Sequence, residues 1–178
     1  MIIVISGGSG QVGAILARAF TNDGHEVTVL SRTPTPAPWK VIAWDGESPG
    51  EWTRSLDGAD VVINLAMPTS DNAMPNEGDL VTRTGMSYVH IPVNFESPQP
   101  ADFMRFTRVM DTLEGQRVYV HCAANMRVSA FVFLRRVLRD VKSRAEAECD
   151  LKRIWNPDGV WREFLNQHLL SAGQPPLA

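Results

Sequence analysis

The chain of 178 residues lacks the features that mark several classes of protein. It has only two cysteines, Cys122 and Cys149, and no Cys-x-x-Cys pair or Cys/His cluster. This excludes a disulfide scaffold and gives no reason to expect a metal site. No apolar run approaches the ~18 residues of a membrane span, and the apolar start has no basic region of the kind that opens a signal peptide. We therefore expect a cytoplasmic protein with reduced thiols.

The chain also lacks a large excess of charge of either sign. Seventeen Lys and Arg residues against twenty Asp and Glu residues give a net charge of −3, so the chain has no overall field that would attract nucleic acid or an anionic membrane. The apolar share of 44% and the charged share of 21% are ordinary for a globular protein. At roughly 150 residues per domain, the length predicts one domain with its own core.

Apolar runs alternate with amphipathic helical patterns along the chain. The runs predict six strands, within residues 2–6, 26–30, 40–44, 60–66, 87–93 and 117–121. The strongest helical patterns cover residues 101–113 and 127–142. This alternation predicts an α/β fold, a three-layer sandwich with a mainly parallel sheet of about six strands. We expect a single α/β domain over residues 1–178, with a loose tail at 171–178.

A glycine-rich turn follows the first predicted strand. Gly7, Gly10 and Gly13 form the pattern G-x-x-G-x-x-G between a predicted strand and a predicted helix. Such a turn lets the backbone approach a pyrophosphate at the N-terminus of a helix. The alternative is that the glycines only close a β–α connection. The strand before the turn and the helix after it favour nucleotide binding.

The first 66 residues resemble the extended short-chain dehydrogenase/epimerase family, especially its atypical epimerase-like members. The stretches that carry the likeness are VISGGSGQVGAILARAF, GHEVTVLSRTP, AWDG and GADVVINLA. The resemblance implies a Rossmann-like half in which the Arg32 guanidinium favours NADP by binding its 2′-phosphate. It places these residues at the cofactor: Gly7, Gly10, Gln11, Val12, Gly13, Ser31, Arg32, Asp45 and Asn64. The family's Tyr-x-x-x-Lys pair is absent at both Tyr88 and Tyr119, so redox or epimerase chemistry is not expected.

A second motif lies within residues 118–131, VYVHCAANMRVSAF. A predicted strand runs into Cys122, and a helix begins near Arg127, so a helix N-terminus and a guanidinium both favour the thiolate. Loop N–H groups can bind phosphate oxygens, and Arg127 can bind two of them at once. Asn125 tolerates the left-handed conformation that such loops need. The alternative is that Cys122 is a small buried residue at the end of a strand.

These residues resemble the phosphate-binding loop of cysteine-dependent protein tyrosine/dual-specificity phosphatases, and residues 60–168 are similar to a bacterial phosphatase-like family. The resemblance implies Cys122 as nucleophile, Arg127 as phosphate ligand and Ser129 as partner of the thiolate. The expected phosphate-binding residues are Ala123, Ala124, Asn125, Met126 and Arg127. Four residues separate Cys122 from Arg127 where the common pattern has five, and Val128 occupies the usual arginine position. The usual general-acid aspartate is not evident, and Glu96 is the candidate in its place.

The two resemblances meet at GADVVINLA, which suits the fourth strand of a Rossmann half and equally the strand that precedes a phosphatase-like region. We hypothesise a recombinant chain, natural or engineered, with a Rossmann-like half over residues 1–66 and a phosphatase-like half over 67–170. The expected function is hydrolysis of a phosphorylated small molecule or phosphoprotein through a phosphocysteine, with no cofactor required. The alternatives are an NADP-type dinucleotide-binding module without redox catalysis and a fold chimera with no activity.

Overall fold

The structure is a computed structural model that describes residues 2–6, 11–22, 24, 26–45, 51, 54, 58–70, 73–139 and 143–177. Its helices and strands in chain order are β1 (Ile2–Ser6), α1 (Gln11–Asn22), β2 (Glu26–Ser31), β3 (Lys40–Ala43), β4 (Val61–Asn64), α2 (Glu77–Arg83), β5 (Ser87–His90), α3 (Pro100–Thr112), β6 (Val118–His121), α4 (Met126–Leu138), α5 (Arg144–Ile154) and α6 (Gly159–Ser171). In these described ranges, every helix is too short or too polar to cross a membrane.

The described strands pair in two three-stranded sheets, and every pairing is parallel. The first sheet has the order β1-β2-β3 and the second has the order β5-β4-β6. The α/β class and the parallel strands are thereby confirmed. The six described strands are divided between these two sheets, three in each. In the second sheet, β4 is the central strand, with β5 on one edge and β6 on the other.

The chain divides into two compact units. The first comprises Met1–Gly58 and Met74–Leu80, and the second comprises Ala59–Ala73 and Val81–Ala178. The strand at the meeting point of the two resemblances therefore belongs to the second unit. One domain over residues 1–178, in three layers, stays a prediction.

In the first unit, α1 makes the crossover that two parallel neighbours such as β1 and β2 require. β2 is the central strand, and its residues after Glu26 are all buried, as expected for a strand with a neighbour on each edge. α1 ends just before Gly24, whose φ of 78° is the left-handed conformation that commonly stops a helix.

In the second unit, a hydrophobic core lies between the sheet and the helices α3, α4, α5 and α6. All four residues of β4 are buried. Phe131 of α4 is fully buried and packs edge-on against Phe103 of α3, with ring centroids 5.5 Å apart. The apolar stripe expected on this helix does face the core, although α4 ends at Leu138.

The C-terminal tail, expected to be loose, is docked on the second unit. The N–H of Leu177 donates a hydrogen bond of 2.7 Å to Oδ1 of Asn166, and Nη2 of Arg144 donates one of 3.1 Å to the carbonyl of Pro176. The Leu177 side chain is buried. Burial of the Leu177 side chain removes apolar surface from water, and this stabilises the docked position of the tail.

Candidate active site

The candidate nucleophile lies where the second sheet meets the core helices. Cys122 directly follows β6, is 6% exposed and belongs to the hydrophobic core cluster. Backbone hydrogen bonds fix the strand ends beside it: the N–H of Leu65 donates to the carbonyl of His121 at 2.8 Å, and the N–H of Val93 donates to Leu65 at 3.2 Å. The carboxyl end of the central strand therefore brings the segments after β4, β5 and β6 together.

The loop from Cys122 leads into α4 through a left-handed residue. Asn125 precedes the helix with φ 58° and ψ 1°, the conformation expected from the sequence. Its side chain makes no capping hydrogen bond, so the first-turn N–H groups of this 13-residue helix are not capped by it. Ala123 and Ala124 are exposed and Met126 is half-buried. This arrangement leaves backbone donors for an anion at the start of α4.

Arg127 is buried and lies in the first turn of α4. It is 8% exposed, its Nε donates a 2.8 Å hydrogen bond to the carbonyl of Val93, and its Cζ lies 5.1 Å from the centre of the Phe95 ring. Within the described part of the chain, it has no carboxylate partner, and Nη1 and Nη2 donate no hydrogen bond. A buried cation without a counter-charge is costly, so this site favours an anionic ligand.

Ser129 makes two hydrogen bonds. Its Oγ donates to the carbonyl of Met126 at 2.9 Å and accepts from Nε1 of Trp155 at 3.1 Å. A hydroxyl carries one proton, so Ser129 can donate to the sulfur of Cys122 only by giving up the bond to Met126. Its role as partner of the thiolate stays a prediction.

Glu96 lies in the exposed loop between β5 and α3. Its N–H donates a 2.9 Å hydrogen bond to Oδ1 of Asn94. The nearby Asp102 is buried and caps α3, since its carboxylate accepts from the N–H of Gln99 and from Nη1 of Arg105, both at 3.2 Å. Asp102 therefore has a structural role. Glu96 keeps its place as the predicted acid.

The glycine turn falls largely outside the described residues. Gly7 and Gly10 lie outside them, and Gln11, Val12 and Gly13 open α1. The structure thus describes the strand and the helix on either side of the turn. The predicted cofactor roles of these five residues stay predictions.

The other residues predicted at the cofactor are divided between the two units. In the first unit, Ser31 ends β2 and is buried, while Arg32 and Asp45 are exposed. Asn64 lies in the second unit, where its Oδ1 accepts from the N–H of Ala66 at 2.7 Å and its Nδ2 donates to the Tyr88 hydroxyl at 3.2 Å. These two bonds occupy both ends of the Asn64 amide.

Sequence reasoning missed the residues that hold Arg127. The carbonyl of Val93 and the ring of Phe95 lie 34 and 32 positions before it, and no motif marks either residue. The one available signal is that both lie shortly after β5, the strand that pairs with one edge of β4. Among the described residues, no group of three His, Cys, Asp or Glu side chains could hold a metal ion.

Comparison with protein families supports the N-terminal resemblance. The model of the NAD dependent epimerase/dehydratase family matches residues 3–91. The Epimerase family protein SDR39U1 of Bos taurus is 36% identical over 66 residues, which are 37% of this chain and 20% of that protein. The Homo sapiens protein of the same name is 35% identical over 66 residues, with the same shares. The chain spans about a fifth of the length of these curated relatives.

Comparison with solved structures supports the C-terminal resemblance. A crystal structure of a candidate phosphatase (DUF442) from Shewanella putrefaciens CN-32 is 35% identical with a TM-score of 0.59, over 67% of this chain and 78% of that chain. A second crystal structure of such a protein from that organism is 32% identical with a TM-score of 0.59, over 78% of this chain and 88% of that one. Tk-PTP in the active form is 20% identical with a TM-score of 0.51, over 82% and 90% of the two chains, which supports the fold alone.

Proposed function

We propose that this chain is a cysteine-dependent phosphatase for phosphate monoesters. The premise is that the chain belongs both to the NAD dependent epimerase/dehydratase family and to the family of the DUF442 protein. The phosphatase-like character follows from the second family. The nucleophile, the phosphate ligands and the hydrolysis itself are our proposal. Phosphorylated small molecules and phosphoproteins are both candidate substrates.

The observation that carries this proposal is the burial of Arg127 without a carboxylate partner among the described residues. Arg127 is buried in the first turn of α4, five positions after Cys122, and it has no carboxylate partner in the described part of the chain. Holding an ion away from water costs several kcal/mol even after the protein relaxes. An oxyanion bound through Nη1 and Nη2 would offset that cost, because a guanidinium matches two phosphate oxygens at once.

The proposed reaction has two steps. In the first, the Cys122 thiolate attacks phosphorus, a sulfur–phosphorus bond forms, the ester oxygen–phosphorus bond breaks, and the leaving oxygen takes a proton from the Glu96 carboxyl. In the second, water attacks phosphorus, gives a proton to Glu96, and the sulfur–phosphorus bond breaks to release inorganic phosphate and the thiolate. Arg127 and the backbone N–H groups of the loop bind the phosphate oxygens throughout.

Because Glu96 is exposed, we expect it to protonate the leaving oxygen inefficiently. Esters whose leaving group needs no proton should therefore react fastest. We therefore expect aryl phosphates to turn over faster than alkyl phosphates, and Glu96→Gln to slow the alkyl esters more than the aryl esters. Equal slowing of both classes would remove Glu96 from the role of acid.

The test is hydrolysis of p-nitrophenyl phosphate by the full chain. Cys122→Ser should lower the rate at least about 10³-fold, since it removes the nucleophile. Cys149→Ser is the matched control, because Cys149 is the other free cysteine and is exposed on α5. A folded wild-type chain without turnover, or a Cys122→Ser variant as fast as wild type, would contradict the proposal.

A second candidate function, NADP-type dinucleotide binding without redox catalysis, is supported by the match over residues 3–91. Bound NADP is a hydride carrier, but the Tyr-x-x-x-Lys pair is absent from the sequence. Arg32 directly follows β2, is exposed and has no carboxylate partner in the described residues, which fits a 2′-phosphate ligand. Ser31 would lie at the ribose, and the turn from Gly7 to Gly13 would bind the pyrophosphate.

This function is tested by fluorescence titration with NADPH and NADH. Arg32→Met should weaken NADPH binding about tenfold or more and leave NADH binding unchanged, because only NADPH carries the 2′-phosphate. Equal effects on both nucleotides would remove Arg32 from that role. Absence of saturable binding by the wild-type chain would remove the function.

A further inference from the structure

Three aromatic side chains pack together at residues 93–95, the segment that contacts Arg127. Phe95 lies in the loop after β5, Trp155 directly follows α5, and Trp161 lies in the first turn of α6. The Phe95 ring is 5.9 Å from Trp155 and 5.5 Å from Trp161, and the two indoles are 6.1 Å apart, all between centroids. We call Phe95, Trp155 and Trp161 the aromatic cluster.

Phe95 is the member of the aromatic cluster that contacts the guanidinium, and its contact adds to a backbone hydrogen bond. The Phe95 ring lies 5.1 Å from Cζ of Arg127, while Nε donates to the carbonyl of Val93, two residues earlier. An Nε–H bond lies in the guanidinium plane, whereas the ring contact is made with the aromatic face. Two contacts of different kinds, made by one short segment, restrict the orientation of the Nη1–Nη2 edge.

The two indoles tie this segment to the helices. Nε1 of Trp161, which is 1% exposed, donates to the carbonyl of Phe95 at 2.8 Å. Nε1 of Trp155 donates to Oγ of Ser129 at 3.1 Å. Each indole therefore both packs on the Phe95 ring and makes one directional bond, one to the loop after β5 and the other to the first turn of α4.

We propose that the aromatic cluster positions Arg127 for phosphate. Phe95, supported by Trp155 and Trp161, holds the guanidinium so that Nη1 and Nη2 present two parallel donors beside the loop of Cys122. The residues act through Arg127 and are positioning residues. The inference rests on the proposed phosphatase function, and it assigns the terminal helices α5 and α6 a part in the active site.

A cluster that only fills the core would behave differently. Phe106, which is fully buried and packs on Phe131 at 5.5 Å, is such a residue. Phe106→Leu and Phe95→Leu make the same chemical change, and only the second removes a ring from a cation. Phe106→Leu is therefore the matched control, and Phe95→Tyr, which keeps the aromatic face, is the conservative variant.

The first measurement needs no activity. In ¹⁵N spectra of the full chain, the Nε–H signal of Arg127, assigned by its loss in Arg127→Lys, should exchange slowly with water. Phe95→Leu should speed this exchange about tenfold, Phe95→Tyr should restore it, and Phe106→Leu should leave it as in wild type. Equal exchange in Phe95→Leu and Phe106→Leu would overturn the inference.

The second measurement follows p-nitrophenyl phosphate hydrolysis and its inhibition by inorganic phosphate. We expect Phe95→Leu to lower kcat and to raise the inhibition constant of phosphate about tenfold, with recovery in Phe95→Tyr and wild-type values in Phe106→Leu. If the wild-type chain turns over and Phe95→Leu has the same kcat and the same inhibition constant, this inference is overturned. The proposed function is then unaffected. Wild-type protein without Cys122-dependent turnover overturns the proposed function, and the exchange rate of Nε–H then decides whether the cluster holds Arg127.

Discussion

Replacing Arg127 with Met separates the contribution of the guanidinium to phosphate binding from its contribution to stability. Met is apolar and unbranched, so it can fill the buried space that the arginine side chain occupies. Nη1 and Nη2 donate no hydrogen bond within the described residues, so both are available to phosphate. Hydrogen bonds to charged groups contribute about 1.5–3 kcal/mol each, so losing two should weaken phosphate binding by about 3–6 kcal/mol. That is a factor of about 10² to 10⁴ in Kd.

The expected effect of Arg127→Met on stability is much smaller. The variant loses the hydrogen bond to Val93 and the contact with Phe95, together about 2–4 kcal/mol. It also no longer buries an ion, which had cost several kcal/mol. Because these terms oppose each other, the free energy of unfolding without phosphate should stay within about 2 kcal/mol of wild type.

Calorimetric titration with inorganic phosphate at constant ionic strength measures the first effect, and urea unfolding without phosphate measures the second. Arg135→Met is the control for net charge, because Arg135 also lies on α4 but donates hydrogen bonds to Asp111, at 2.6 Å, and to the carbonyl of Thr107, at 3.3 Å. The control should bind phosphate as wild type does. Wild-type phosphate affinity in Arg127→Met would refute the assignment of Arg127 as a ligand, and a stability loss above about 4 kcal/mol would show that the guanidinium is mainly structural.

Three further predictions concern the second unit. Phe131→Ala should lower the free energy of unfolding by about 3–5 kcal/mol in denaturant titrations, because it empties a fully buried site among aromatic rings; a loss below about 1 kcal/mol would contradict the packing. Asn125→Val should cost about 1–2 kcal/mol in the same assay, since a β-branched residue is strained at φ 58°, while Asn125→Gly should cost less. The hydrogen bond from Arg135 lowers the pKa of Asp111, so this carboxylate stabilises the fold above its unfolded pKa of about 3.9 and the contribution is lost as the pH falls through the lower folded pKa. Asp111→Asn should therefore be less stable than wild type at neutral pH, with a difference that shrinks below about pH 4, and a difference independent of pH would refute the pairing.

The fold class could be predicted because apolar runs and helical periodicity are local properties of the sequence. They placed six strands, and the described strands lie at those positions. Pairing is not local. The buried run of β4 suits any central parallel strand, so the sequence pattern did not reveal that β5 and β6 occupy both of its edges. The division of the described strands into two sheets of three was therefore not predicted from the sequence.

The same distinction applies to the site. Cys122, Asn125 and Arg127 lie within one loop and the first turn of the helix that follows it, so their spacing in the sequence was enough to group them. The left-handed conformation of Asn125 agrees with the expectation from its residue type. The partners of Arg127 come from 34 and 32 positions earlier in the chain. No spacing rule connects residues that meet only because β5 and β6 end at the same edge of the sheet, on either side of β4.

The two family likenesses overlap on β4 and β5, and the sheet explains how one segment can satisfy both. The epimerase/dehydratase match continues to residue 91, yet these strands pair with each other and with β6 in the unit that contains Cys122. A central parallel strand must be apolar on both faces, and this demand is the same in a Rossmann half and in a phosphatase-like sheet. Recombination within such a strand would preserve its burial, because burial does not depend on which side chains fill the loops that follow. The loops at the carboxyl ends carry the chemistry, so the segment after β6, and not β4 itself, decides what the second unit can do.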